Sequence, residues 1–149
     1  MDANKAIMKM SGLTNKVRGI VNAWVRSDST QAQIIDWNVY QMEKMGEDSM
    51  GNAFGDYSDW SKAVKYPEEK AAIGAESRFI NLHFEGGFHK SMGIDVAGSR
   101  IKIKADDDKT PLLIEMFGED ILGLNDEHFD ELVYDLAQQL GKELTTYFT

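Results

Sequence analysis

A chain of 149 residues with 42% hydrophobic composition carries enough apolar material for one core, at the length of about 100–150 residues typical of a single domain. It contains no cysteine, which excludes a disulfide framework and a thiolate metal site. A formal net charge of −9 and a pI of about 4.7 argue against a free-standing nucleic-acid-binding module, whose affinity rests on neutralising phosphates.

No apolar run approaches the roughly 20 residues of a membrane span, and the first residues lack the continuous apolar block of a secretory signal. Synthesis in a cytoplasm is the expectation. The charge is unevenly placed: up to Ser27 the chain carries a net +4, which leaves −13 for the remainder. Such a basic stretch is read either as a solvated helix face or as the basic end of a dipolar subunit that meets an acidic neighbour.

Met10, Leu13, Val17, Ile20, Val21 and Trp24 recur at helical spacing and predict an amphipathic helix from about Lys5 to Arg26, weakened by Gly12 and Gly19. Ser27-Asp28-Ser29-Thr30 then supplies N-cap side chains for a second helix over about Gln31 to Lys44, with Ile34, Ile35, Val39 and Met42 inward and Gly46 as its stop. From Gly46 to Gly74, glycines and Pro67 punctuate a stretch holding Tyr57, Trp60 and Tyr66. It reads as a loop-rich excursion with at most short strands.

Ile80, Leu82 and Phe84 alternate with polar residues and predict a strand, and the residues from Glu85 to Met92 predict a turn or one helical turn. Ile94 and Val96 begin a second strand, Gly98-Ser99 turns the chain, and Ile101, Ile103 and Ala105 form a third, so that a β-hairpin is expected. After an Asp106–Pro111 turn, Leu112 to Phe117 reads as a short helix ended by Gly118. Asn125 caps the last element, a helix of about 24 residues with Phe129, Leu132, Val133, Leu136, Leu140, Leu144 and Phe148 on one stripe and four carboxylates in its first turns, where the helix dipole favours them. The expected fold is a single α+β domain over residues 1–149: N-terminal helices, a small antiparallel sheet with a β-hairpin, and a long C-terminal amphipathic helix.

Chemistry-bearing patterns are sparse. His83, His89 and His128 form no i,i+4 pair, and no spacing of the H-E-x-x-H type occurs. Asp106–Asp108 lacks the alternating ligands, central glycine and distant glutamate of a calcium loop. Among 25 Asp and Glu residues some carboxylate pair will always look suited to hydrolysis, so a small hydrolase is an outside reading. No P-loop, nucleophile elbow or dinucleotide fingerprint is present, and Gly86-Gly87 reads as a tight turn rather than an anion cradle at a helix start. Neither catalysis, nor a cofactor, nor a metal is expected. Aromatic side chains are enriched in interfaces, so Trp37, Tyr57, Trp60 and Tyr66 are the candidate partner-contact residues.

Three blocks carry a resemblance: Gln41-Met-Glu-Lys-Met-Gly46-Glu-Asp-Ser-Met-Gly51 with Tyr57-Ser58 and then Lys62 or Lys65, then Leu82-His-Phe-Glu85-Gly-Gly-Phe88-His-Lys90-Ser-Met92, then Lys109-Thr-Pro-Leu-Leu113 leading into Phe117-Gly118-Glu-Asp-Ile121-Leu-Gly123-Leu124. In this order they resemble the tail-completion or head–tail joining (virion morphogenesis) proteins of tailed bacteriophages, especially those of gut Bacteroidetes, with Glu85-Gly86 standing where that family has Thr-Gly. The resemblance implies a non-enzymatic virion protein made in the host bacterial cytoplasm. It would be a subunit of a ring or collar in the neck, contacting other neck, portal or tail proteins and copies of itself, with no membrane. An acidic ring lumen would also repel DNA phosphates and act as a non-adhesive lining of the channel. The alternative reading is a cytoplasmic interaction module that binds a partner through the 46–74 loop.

Overall fold

The computed structural model describes residues 3–57, 66–72, 79–82, 86–98 and 100–149. Helices α1 (Ala3–Ser11) and α2 (Leu13–Val25) replace the single expected N-terminal helix. The interruption at Gly12 is one residue long, because Gly12 N–H still donates to Met8 O and Gly12 O still accepts from Lys16 N–H. Met10, expected on the inward stripe, is exposed.

Ser27 has extended backbone (φ −68°, ψ 140°) and its Oγ accepts from Thr30 N–H, so it caps α3 (Asp28–Tyr40). Replacing Ser27 by Ala is expected to cost about 1 kcal/mol of stability, measured as a fall in the urea midpoint with an unchanged m-value. The helix runs on into a π-helical turn, Gln41–Met45, ended by Gly46 in the left-handed conformation. Gln41 and Met42 are both fully buried there: adjacent residues that face inward across the widened turn.

Gly46 to Gly55 forms a compact loop. Asp48 Oδ1 accepts from the N–H groups of Met50 and Asn52, and Glu47 bridges Ala53 across the turn. Ser49 N–H donates to Asp120 O, and Gly123 lies so close to Ser49 that a Cβ there would stand 2.8 Å from the Ser49 Cβ. The excursion expected to hold at most short strands instead contains a short helix, α4 (Tyr66–Ala72).

The expected strand at Ile80–Phe84 is absent from its described part. Residues 79–82 are irregular, Leu82 has φ +56°, and Phe84 lies outside the described residues. Ile80 N–H is taken by Gly55 O, which leaves no ladder for this segment to join. One helical turn, α5 (Gly87–Lys90), then leads into the hairpin of β1 (Met92–Ala97) and β2 (Arg100–Ala105), paired antiparallel from Met92↔Ala105 to Ala97↔Arg100. Among the described residues the sheet therefore has two strands where three were expected.

Helix α6 (Thr110–Phe117) follows and stops at Gly118; a 3₁₀ turn (Glu119–Ile121) leads on to α7 (Asp126–Phe148), whose N-terminus is capped by Asn125 Oδ1 accepting from His128 N–H. The fold is thus α+β, mostly helical, with a β-hairpin and a long C-terminal helix. Its apolar centre is Met42, Phe88, Met92 and Ile121, with Val39, Phe54, Leu113 and Phe117 packed around them. The rings of Phe54 and Phe117 meet edge to face at 5.3 Å, a geometry that favours aromatic pairs beyond their buried area.

Candidate interaction surfaces

Two buried polar networks decide how the surface elements are held. In the first, Asn38 of α3 and Gln41 of the π-helical turn lie three residues apart and both reach the segment that starts α7. Asn38 Nδ2 donates to Ile121 O and Gly123 O, and Gln41 Nε2 donates to Gly123 O. That donation fixes the amide orientation, so Gln41 Oε1 is the acceptor for Asn125 N–H at 2.7 Å and for His128 Nδ1 at 3.1 Å. An amide oxygen accepts only, so His128 carries its proton on Nδ1 in this contact. The His128 ring, buried, stacks on Trp37 with centroids 5.5 Å apart and receives the edge of Tyr40 at 6.1 Å. Trp37, one of the four expected contact residues, is half-buried in that stack.

In the second network, Lys70 of α4 is buried and its Nζ donates to Tyr57 Oη at 2.7 Å and to Asn81 Oδ1 at 2.6 Å. Asn81 Nδ2 in turn donates to Glu43 O, and a Glu43 carboxylate oxygen lies 3.2 Å from His89 Nδ1. An ammonium is tolerated away from water only when its donors are satisfied, so this network ties α4 and residue 81 to the end of α3. Tyr57, the second expected contact residue, is therefore buried inside the protein. Trp60 and the Tyr66 side chain lie outside the described residues, and the structure does not bring Trp37 and Tyr57 together.

The surface itself is apolar in places that the aromatic criterion did not select. Helix α7 lies antiparallel to α2: Trp24 lines a cleft with Leu132 and Asp135, whereas Lys9 Nζ donates to Tyr147 O at the far end. A cation on a C-terminal carbonyl also suits the helix dipole. Leu132, Leu136, Leu140 and Leu144 are only half-covered. Of the 23 residues of α7, only His128 is buried. Phe129, Val133 and Tyr134 remain 49–64% exposed, and on α1 Ile7, Met8 and Met10 remain 65–67% exposed. The signal for the first patch was present in the sequence, because Phe129, Leu132, Val133 and Leu136 make a stripe wider than one helix can cover.

Charge is segregated between segments of the chain. From Ala3 to Ser27 there are five cations and no carboxylate; from Asp126 to Asp135 there are five carboxylates and neither Lys nor Arg. Among the described residues, no group of three or more His, Asp or Glu side chains could hold a metal ion, and no helix is long and apolar enough to cross a membrane. No protein-family model, curated protein or solved structure matches the chain.

Proposed function

We propose that the chain is a structural subunit of a tailed-phage particle, acting in the neck where head joins tail and packing there against copies of itself and other neck, portal or tail proteins. The observation that carries this reading is α7, a 23-residue amphipathic helix with one buried residue and an open apolar flank. Contiguous exposed apolar surface on a folded chain marks a face made for another protein. The phage context is supported by the resemblance, whose three blocks meet in space: Met42 from the first, Phe88 and Met92 from the second and Ile121 from the third form the apolar centre. The net charge of −9 further favours a lumen that DNA slides past without sticking.

The test is to purify virions from infected cells and quantify the chain against the portal by mass spectrometry. A fixed multiple of the portal copy number is the expected result. Absence from intact particles would overturn the reading in favour of an interaction module in the cell. Basic side chains lining the channel of an assembled ring would overturn the DNA-lining role alone.

A further inference from the structure

The two cations of α1, Lys5 and Lys9, and the carboxylates that open α7 cannot satisfy each other within one chain. Helix α1 sits at the C-terminal end of α7, where Lys9 and Lys16 lie 5.5 and 5.7 Å from the Tyr147 ring centroid. The acidic turns open the same 23-residue helix, and Asp126 to Asp135 stand roughly 18–32 Å from Tyr147 at about 1.5 Å per residue. That separation is at least about twice the Debye length of about 8 Å at physiological ionic strength, so attraction between α1 and these carboxylates within one chain is screened. None of the five carboxylates between Asp126 and Asp135 has an ion-pair partner among the described residues. Both ends also expose apolar side chains: Ile7, Met8 and Met10 at the basic end, Phe129, Val133 and Tyr134 at the acidic one.

We propose that the open flank of α7 is covered by α1 of a second copy of this chain, apolar residue against apolar residue, with the cations of one N-terminal segment against the carboxylates of the other chain's α7. Charge selects this pairing over its rivals. Two α7 flanks face to face would set carboxylate against carboxylate, and two α1 helices would set cation against cation; only the mixed contact is complementary. The contact joins two different surfaces. It therefore either closes reciprocally into a dimer or repeats around a ring, depending on the angle between successive copies. The inference rests on the reading of the chain as an assembly subunit and adds the residues through which copies meet.

Sedimentation velocity of the full chain over a range of concentration and salt tests it, with two variants at exposed positions whose helicity is checked by circular dichroism. Lys5→Glu with Ile7→Glu and Met10→Glu takes α1 from net +2 to −2, and Glu127→Lys, Asp130→Lys and Glu131→Lys with Val133→Lys takes the segment from Asp126 to Asp135 from −5 to +2. The unaltered chain is expected to self-associate, more weakly at high salt, and each variant alone is expected to weaken association by at least about tenfold, the factor that a loss of about 1.4 kcal/mol produces. An equimolar mixture of the two variants is expected to recover association, because acidic α1 now meets basic α7. A chain that stays monomeric, or variants whose mixture recovers nothing, would overturn the proposal. Recovery in the mixture together with absence of the chain from virions would leave this contact standing and sink the neck reading. Presence in virions without recovery would do the reverse.

Discussion

Replacing Gln41 by Leu is expected to lower stability by about 3–5 kcal/mol, the cost of leaving two buried donors and part of a carbonyl unsatisfied at about 1–3 kcal/mol per group. The side chain is fully buried and serves three groups of one segment: Gly123 O, Asn125 N–H and His128 Nδ1. Leucine fills much of the space and serves none of them. Gln41→Glu retains an acceptor for the two donors while setting a carboxylate against Gly123 O, and should fall between the parent and Gln41→Leu. The measurement is urea denaturation followed by both far-UV circular dichroism and Trp37 fluorescence, since Trp37 stacks on the histidine that Gln41 holds. A loss below about 1 kcal/mol for Gln41→Leu would show that the network contributes no more than a single surface hydrogen bond.

Gly46→Ala is expected to be of similar size, for a different reason. Gly46 ends the π-helical turn at φ +66°, where an L side chain costs about 1–2 kcal/mol. The added Cβ would also stand 2.5 Å from Phe79 Cδ2 and 2.8 Å from Phe79 Cε2, with Ile80 O at 3.3 Å. The ring must swing away, and Ile80 is the residue whose N–H is held by Gly55 O. Strain and displacement together should lower stability by about 3 kcal/mol or more, within the range of a disruptive core substitution. Thermal unfolding should show the loss as a fall in Tm on the order of 10 °C. Gly51→Ala supplies the control: it has φ +76° but no atom within 4 Å of the added Cβ, so only the backbone cost applies. Equal losses at the two positions would show that the Phe79 contact is relieved without cost.

Much of the framework was legible in the sequence because it is written in local signals. Asn125 before an acidic first turn and an apolar stripe announces α7, and alternation around Gly98 announces the hairpin. Helix α4 also had its signals, Pro67 in the second position and Glu68 and Glu69 in the first turn, but the surrounding glycines favoured a loop reading. The strand expected at Ile80–Phe84 failed because alternation alone does not reveal which side is covered. Asn81, on the side taken for the polar face, is buried beneath Lys70.

The buried polar residues are the part least visible in a hydrophobic pattern. Thr30, Asn38 and Gln41 sit on the inward face of α3 and its extension, so the apolar residues of α3 mark only part of what it buries. For the interaction surface, the stripe on α7 shows which side is apolar. It does not show that α2 covers only half of it, because coverage is a property of the neighbour. The aromatic criterion picked Trp37 and Tyr57 for what are internal contacts, a stack on His128 and a hydroxyl serving Lys70.

The amide lock between Gln41 and the residues from Gly123 to His128 spans 82–87 positions of the chain. A ribosome emits α3 long before it emits the groups that α3 must hold. Until then Asn38 and Gln41 lack their partners, and Met42, Phe88 and Met92 lack Ile121. Closure thus waits for the segment from Ile121 to His128. The entropy of joining so distant segments is met only when it emerges, and the growing chain stays open, and exposed to chaperones and to aggregation, until then.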